Sequence, residues 1–112
     1  MLTILFHMTV KPEREAECAK VINEATSSTR AEDEGCITYT FYRQSDEPRH
    51  LVLFEQWRDA DALSAHIARL QRVFGPPDEQ EPYPATHHRS RLPKAFLALF
   101  EKTEAARYEP II

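Results

Sequence analysis

The side chains of this chain best placed to do chemistry together are Glu55, Trp57 and His66. Glu55 and Trp57 are two residues apart, so an extended segment projects both from one face. Beyond them Leu63, His66, Ile67 and Leu70 recur at helical spacing. A histidine in the apolar stripe of a helix can take a proton from a phenol or hydrogen-bond a developing enolate. A carboxylate within an apolar strand needs a partner. It would serve either as a base or as the group that orients His66. Trp57 would wall a pocket for a flat ring and offer its indole N–H, with Tyr39, Phe6 and Phe54 as further aromatic walls.

Each of these residues has a plainer role to weigh. His66 fits a core histidine satisfied by a backbone carbonyl or by Glu55. Glu55 fits a salt bridge to Arg43 or Arg58 across a subunit interface. Trp57 fits an anchor of a sheet against a helix, and His7, on the more polar side of the first strand, has a similar standing. Side-chain parity alone does not say which sheet face meets the helices.

Other chemistries find no support in the residues. Only two glycines occur, which excludes a Gly-rich phosphate loop. Cys18 and Cys36 make neither a disulfide framework nor a metal cluster and read as small buried hydrophobes. The adjacent pair His87-His88 lacks a Cys or acid at ligand spacing, so it reads as part of a solvated loop and no metal is expected. The net charge is −4 without a Lys/Arg run, which disfavours nucleic acid and anionic membrane as partners. No apolar run approaches the roughly 20 residues of a membrane helix. The opening MLTILFHMTV alternates like a strand rather than a leader, so a cytoplasmic location is the expectation.

The elements that must position these residues follow from periodicity. Thr3–Val10 alternates as a strand, and Pro12 with Glu13 and Glu15 opens a helix with the stripe Cys18, Val21, Ile22 and Ala25. Gly35 ends that segment. Cys36–Gln44 is a strand with Ile37, Tyr39 and Phe41 opposed to Thr38, Thr40 and Tyr42. A turn at Ser45–Pro48 leads to an antiparallel strand from His50 to Trp57. Asp59 caps a helix that runs to about Phe74 and stops at Gly75-Pro76-Pro77. Proline and acids then mark residues 75–91 as a loop insertion, including Tyr83 and the histidine pair. Leu92, Phe96, Leu99, Phe100 and Thr103 predict a further helix, and Ala106–Ile112 a terminal strand. The order β-α-β-β-α-(α)-β over residues 1–112 is that of a single α+β domain of the ferredoxin-like split βαβ kind. It predicts an antiparallel sheet with helices on one face. The strands carry apolar or aromatic residues on both faces, so the uncovered face needs a partner, and a homodimer packed sheet to sheet follows.

The stretch LVLFEQWRDADALSAHI resembles the signature of the antibiotic biosynthesis monooxygenase (ABM) superfamily. The similarity also takes in Lys11-Pro12-Glu13 and Gly35-Cys36 ahead of Tyr39. Its specific part is Glu55-Gln56-Trp57 with His66 downstream. The resemblance implies a dimeric α+β barrel. Its members include cofactor-independent oxygenases of quinols and polycyclic phenols, haem-degrading oxygenases, and isomerases of small phosphorylated signals. Haem-degrading members carry tryptophan at the position resembling His66 and a ligating histidine further on. Here that later region is Gly75-Pro76-Pro77, which leaves only His87 or His88 to replace the ligand.

The expected function is therefore a monooxygenase without cofactor, acting on a small aromatic molecule with dioxygen. His66 and Glu55 are the catalytic candidates, and Trp57, Tyr39, Phe6 and Phe54 the substrate-binding ones. The alternatives are a binding or isomerising member of the same family, or a non-catalytic dimerisation domain with a filled pocket.

Overall fold

The computed structural model describes residues 1–78 and 91–112. Tyr83, His87 and His88, with most of the expected insertion, lie outside the described residues. Strand β1 spans Leu2–Val10, helix α1 Glu15–Glu32, strand β2 Cys36–Gln44 and strand β3 Glu47–Trp57. Helix α2 spans Ala60–Phe74, a single turn α3 Lys94–Leu97, and strand β4 Phe100–Tyr108. The four strands form one antiparallel sheet in the order β2-β3-β1-β4. This is the ferredoxin-like α+β arrangement that the pattern predicts.

Alternation decides which face is inside. Ile4, Phe6, Met8 and Val10 of β1 are buried together with Leu51, Leu53, Glu55 and Trp57 of β3. Cys18 from α1, and Leu63, Ile67 and Leu70 from α2, close over them. Burying such side chains supplies about 1.5–3 kcal/mol each, which ties the helices to this one face. The other face bears Leu5, His7, Val52 and Phe54, all half-buried, with Tyr42 and Tyr108 exposed.

The N-cap of α2 is as its sequence predicts: Asp59 accepts from the Ala62 N–H at 2.8 Å. The start of α1 differs. Pro12 opens a turn rather than the helix, with Arg14 N–H donating to Lys11 C=O at 3.1 Å and Glu13 at φ 70°. A type II turn takes proline second and a positive φ third, so the helix begins at Glu15. In β2 an irregularity between Cys36 and Thr38 breaks the alternation and leaves Ile37 exposed, while Tyr39 turns inward. Strand β3 begins at Glu47 rather than His50 and tolerates Pro48 because its ladder with β2 shifts register there.

The largest correction is at the C-terminal end. The stripe from Leu92 to Thr103 is not one helix: α3 stops at Leu97 and β4 begins at Phe100. Phe96 and Phe100 do meet, with ring centroids 5.1 Å apart, but across a turn. The segment after Phe100 is rich in helix formers, yet it pairs along β1 from Val10↔Phe100 to Thr3↔Tyr108. Satisfying the open edge of β1 outweighs local propensity.

Candidate active site

Parity along β3 sends Glu55 and Trp57 beneath α2, and both are wholly buried. The Trp57 Nε1–H donates to Glu55 Oε1 at 3.0 Å. Above them lies His66, 1% exposed, its ring centroid 4.4 Å from that of Trp57 and tilted by 36°. Tyr39, the cross-strand partner of Glu55, meets His66 edge-on at 5.2 Å. Burial, and then the charge of Glu55, push the Tyr39 phenol well above its ordinary range. It therefore keeps its proton and acts as a wall and donor rather than a base.

The structure thus brings together His66, Glu55, Trp57, Tyr39 and Phe6. It does not bring Phe54 with them. Phe54 pairs with Leu5 on the opposite face of the sheet, because residues adjacent to Glu55 must point the other way. Glu55 Oε1 accepts from its own strand's Trp57, while the Nδ1 of His66 faces a different carboxylate. Arg58 meets Glu34 and Asp59 at the surface.

The partner of His66 is Asp33, just past the end of α1. His66 Nδ1 lies 2.6 Å from Asp33 Oδ2. Arg69, one helical turn beyond His66, donates from Nε to Oδ1 at 2.6 Å and from Nη2 to Oδ2 at 2.9 Å. The guanidinium also reaches Thr29 Oγ1 at 3.0 Å and Ser28 Oγ at 3.1 Å. Burial acts to raise the Asp33 carboxyl, but the hydrogen bonds from His66 and Arg69 outweigh it and hold it at about 2. Asp33 is therefore an anion at neutral pH and offers an acceptor to the Nδ1 that faces it.

Backbone geometry delivers Asp33 to this place. Gly35 adopts φ 86°, and a β-carbon there would stand 2.6 Å from that of Ala62. Arg58 N–H donates to Gly35 C=O at 2.8 Å, closing the loop against the start of α2. Sequence reasoning missed Asp33 and Arg69. A usable signal was present: Arg69 sits one turn from His66, on the flank of the apolar stripe.

On its inner side His66 borders a cavity lined by Phe6, Tyr39, Leu53, Glu55, Phe74 and Phe96, among others. Its free volume is about 20 Å³, room for one water. On the outer side His66 and Asp33 border an open groove of about 260 Å³ with Glu32, Arg69 and Arg72. Among the described residues, no three His, Cys, Asp or Glu side chains cluster as metal ligands. The Cys18 thiol is raised to about 11, by burial first and by Glu17 second, so it is inert at neutral pH. Among the described residues, no helix is long and apolar enough to cross a membrane.

A ferredoxin-like sheet with a histidine and aromatic residues gathered under its second helix defines a class of small α+β proteins. The family model for antibiotic biosynthesis monooxygenase matches residues 1–71, and the chain belongs to that family. It is similar over its whole length to a crystal structure of an antibiotic biosynthesis monooxygenase, with 22% identity, 100% of both chains covered and a TM-score of 0.71. The Rv0793 protein of Mycobacterium tuberculosis gives 19% identity over 99% of this chain and 94% of that one, with a TM-score of 0.69. These likenesses establish the fold. A sequence relative, the uncharacterized protein sll1783 of Synechocystis, is 31% identical over 66 residues, covering 59% of this chain. The match spans only 44% of that relative's length.

Proposed function

We propose that this chain is a cofactor-independent monooxygenase of a quinol or polycyclic phenol, with His66 as the base. The observation that carries the reading is the 2.6 Å contact between His66 Nδ1 and Asp33 beside a cavity walled by aromatic side chains. With Nδ1 donating to Asp33, Nε2 would be the ring nitrogen left to accept a phenolic proton. The resulting phenolate is electron-rich and gives its electrons to dioxygen. One oxygen atom stays on the ring carbon as a quinone carbonyl and the other leaves as water, so the substrate supplies every electron. Glu55 holds the indole of Trp57 beneath His66, and Tyr39 and Phe6 line the cavity that would take the flat ring. Substrate entry requires the lining side chains to withdraw, since the present volume admits one water.

As part of the same proposal, residues 1–112 form one domain, and two copies pack through the face that carries Leu5, Val52 and Phe54. The protein works in the cytoplasm. The small cavity favours a second reading, a dimerisation domain whose pocket is filled by its own side chains. Oxygen consumption with anthrone and a naphthol, each able to present a phenolate, separates the two. Uptake that requires His66 supports the oxygenase; none with any such probe favours the structural domain.

A further inference from the structure

Asp33, His66 and Arg69 form a connected charge cluster reaching from the outer groove to the inner cavity. We propose that Asp33 is the positioning residue that fixes the His66 tautomer, and that Arg69 makes this dependence strict by claiming the carboxylate's other hydrogen-bonding positions. The inference rests on the oxygenase reading only in its kinetic arm.

The geometry supports it in two ways. The three side chains are 1% (His66), 7% (Asp33) and 10% (Arg69) exposed, so water does not substitute readily for a missing partner. Asp33 Oδ1 receives Arg69 Nε, whereas Oδ2 is shared between His66 Nδ1 and Arg69 Nη2. A carboxylate satisfies both neighbours because each of its oxygens accepts. An asparagine has one oxygen only. The guanidinium, which has no acceptor, would take that oxygen and turn the amide N–H₂ toward His66. Nδ1 would then have to accept, the ring proton would move to Nε2, and the inner edge would lose its free lone pair. Pairing Asp33→Asn with Arg69→Met removes the competitor. The asparagine oxygen is then free to accept from Nδ1–H, with no buried charge left unpaired.

The test is a ¹⁵N–¹H correlation of the imidazoles at neutral pH, with His66 assigned by His66→Gln and folding checked by circular dichroism. The wild type should show His66 protonated at Nδ1. Asp33→Asn should show it protonated at Nε2, and the double variant should return it to Nδ1. With anthrone as probe, Asp33→Asn should lower kcat by about 10²–10⁴-fold while KM changes less than about threefold. The double variant should recover part of the rate. A merely structural role would leave the tautomer unmoved, and either a wild-type Nε2–H form or an unchanged tautomer in Asp33→Asn overturns the inference. If the tautomer switches as expected but the wild type consumes no oxygen, the positioning role stands and the oxygenase reading falls.

Discussion

The indole N–H of Trp57 donates to the carboxylate of Glu55, its neighbour two positions back on the same strand, at 3.0 Å and wholly inside the core. This contact ties together two residues of the segment that resembles the family in the sequence. Trp57→Phe keeps the flat ring under His66 but removes one donor to a buried acceptor. We expect a loss of about 1–3 kcal/mol of stability, read by urea denaturation. Turnover should fall less than in His66→Ala, because the phenyl ring still packs against the imidazole.

Gly35 and Ala62 set the approach of the α1–β2 loop to α2. An alanine at Gly35 meets both an unfavourable φ of 86° and a β-carbon 2.6 Å away. Gly35→Ala should cost roughly 1–3 kcal/mol and lower Tm by several degrees. It should also disturb the His66 imidazole resonances, since the loop that moves carries Asp33. An unchanged Tm would mean that the loop accommodates the methyl group freely.

Much of this arrangement was legible in the sequence, and the exceptions are instructive. Strict alternation made β1 and β3 readable, and Asp59 with the Leu63–Leu70 stripe defined α2 almost to the residue. The Glu55, Trp57 and His66 neighbourhood followed from parity and helical spacing together. Phe54 was misplaced because parity fixes which residues share a face but not which face the helices cover. Strand β4 was hidden because Glu101–Arg107 has helix-forming composition, and only its pairing to β1 makes it a strand. Asp33 escaped because it lies 33 residues from His66, and no local pattern encodes a contact set by a loop closing in space.

The Asp33 carboxyl, held at about 2 in the folded chain against an ordinary 3.8, gives stability a definite pH dependence. Its folded value lies below its unfolded one, so the contribution is complete above about pH 4 and is lost as pH falls through about 2. Denaturant midpoints between pH 5 and 2 should fall, and Asp33→Asn should flatten that part of the curve. Equal slopes in the two proteins would mean that other carboxylates dominate.

The sheet face that the described residues leave without a covering helix gives a prediction about assembly. Light scattering at low micromolar concentration should return twice the 13.0 kDa chain mass. Phe54→Asp, which places a charge in the centre of that face, should shift the particle to the monomer mass without changing its helical content. A wild-type monomer would show that the half-buried apolar side chains of this face are content in water.

On the proposed function, His66 takes a proton from a phenolic substrate, which then reduces dioxygen. The most direct test is the initial rate of oxygen consumption by the wild type and by His66→Ala, with anthrone and no added metal, flavin or nicotinamide. Enzyme-dependent uptake is expected of the wild type, with a rate lower by about 10²–10⁴-fold in His66→Ala and the fold of the variant intact. A His66→Ala variant that consumes oxygen at the wild-type rate would contradict the proposal.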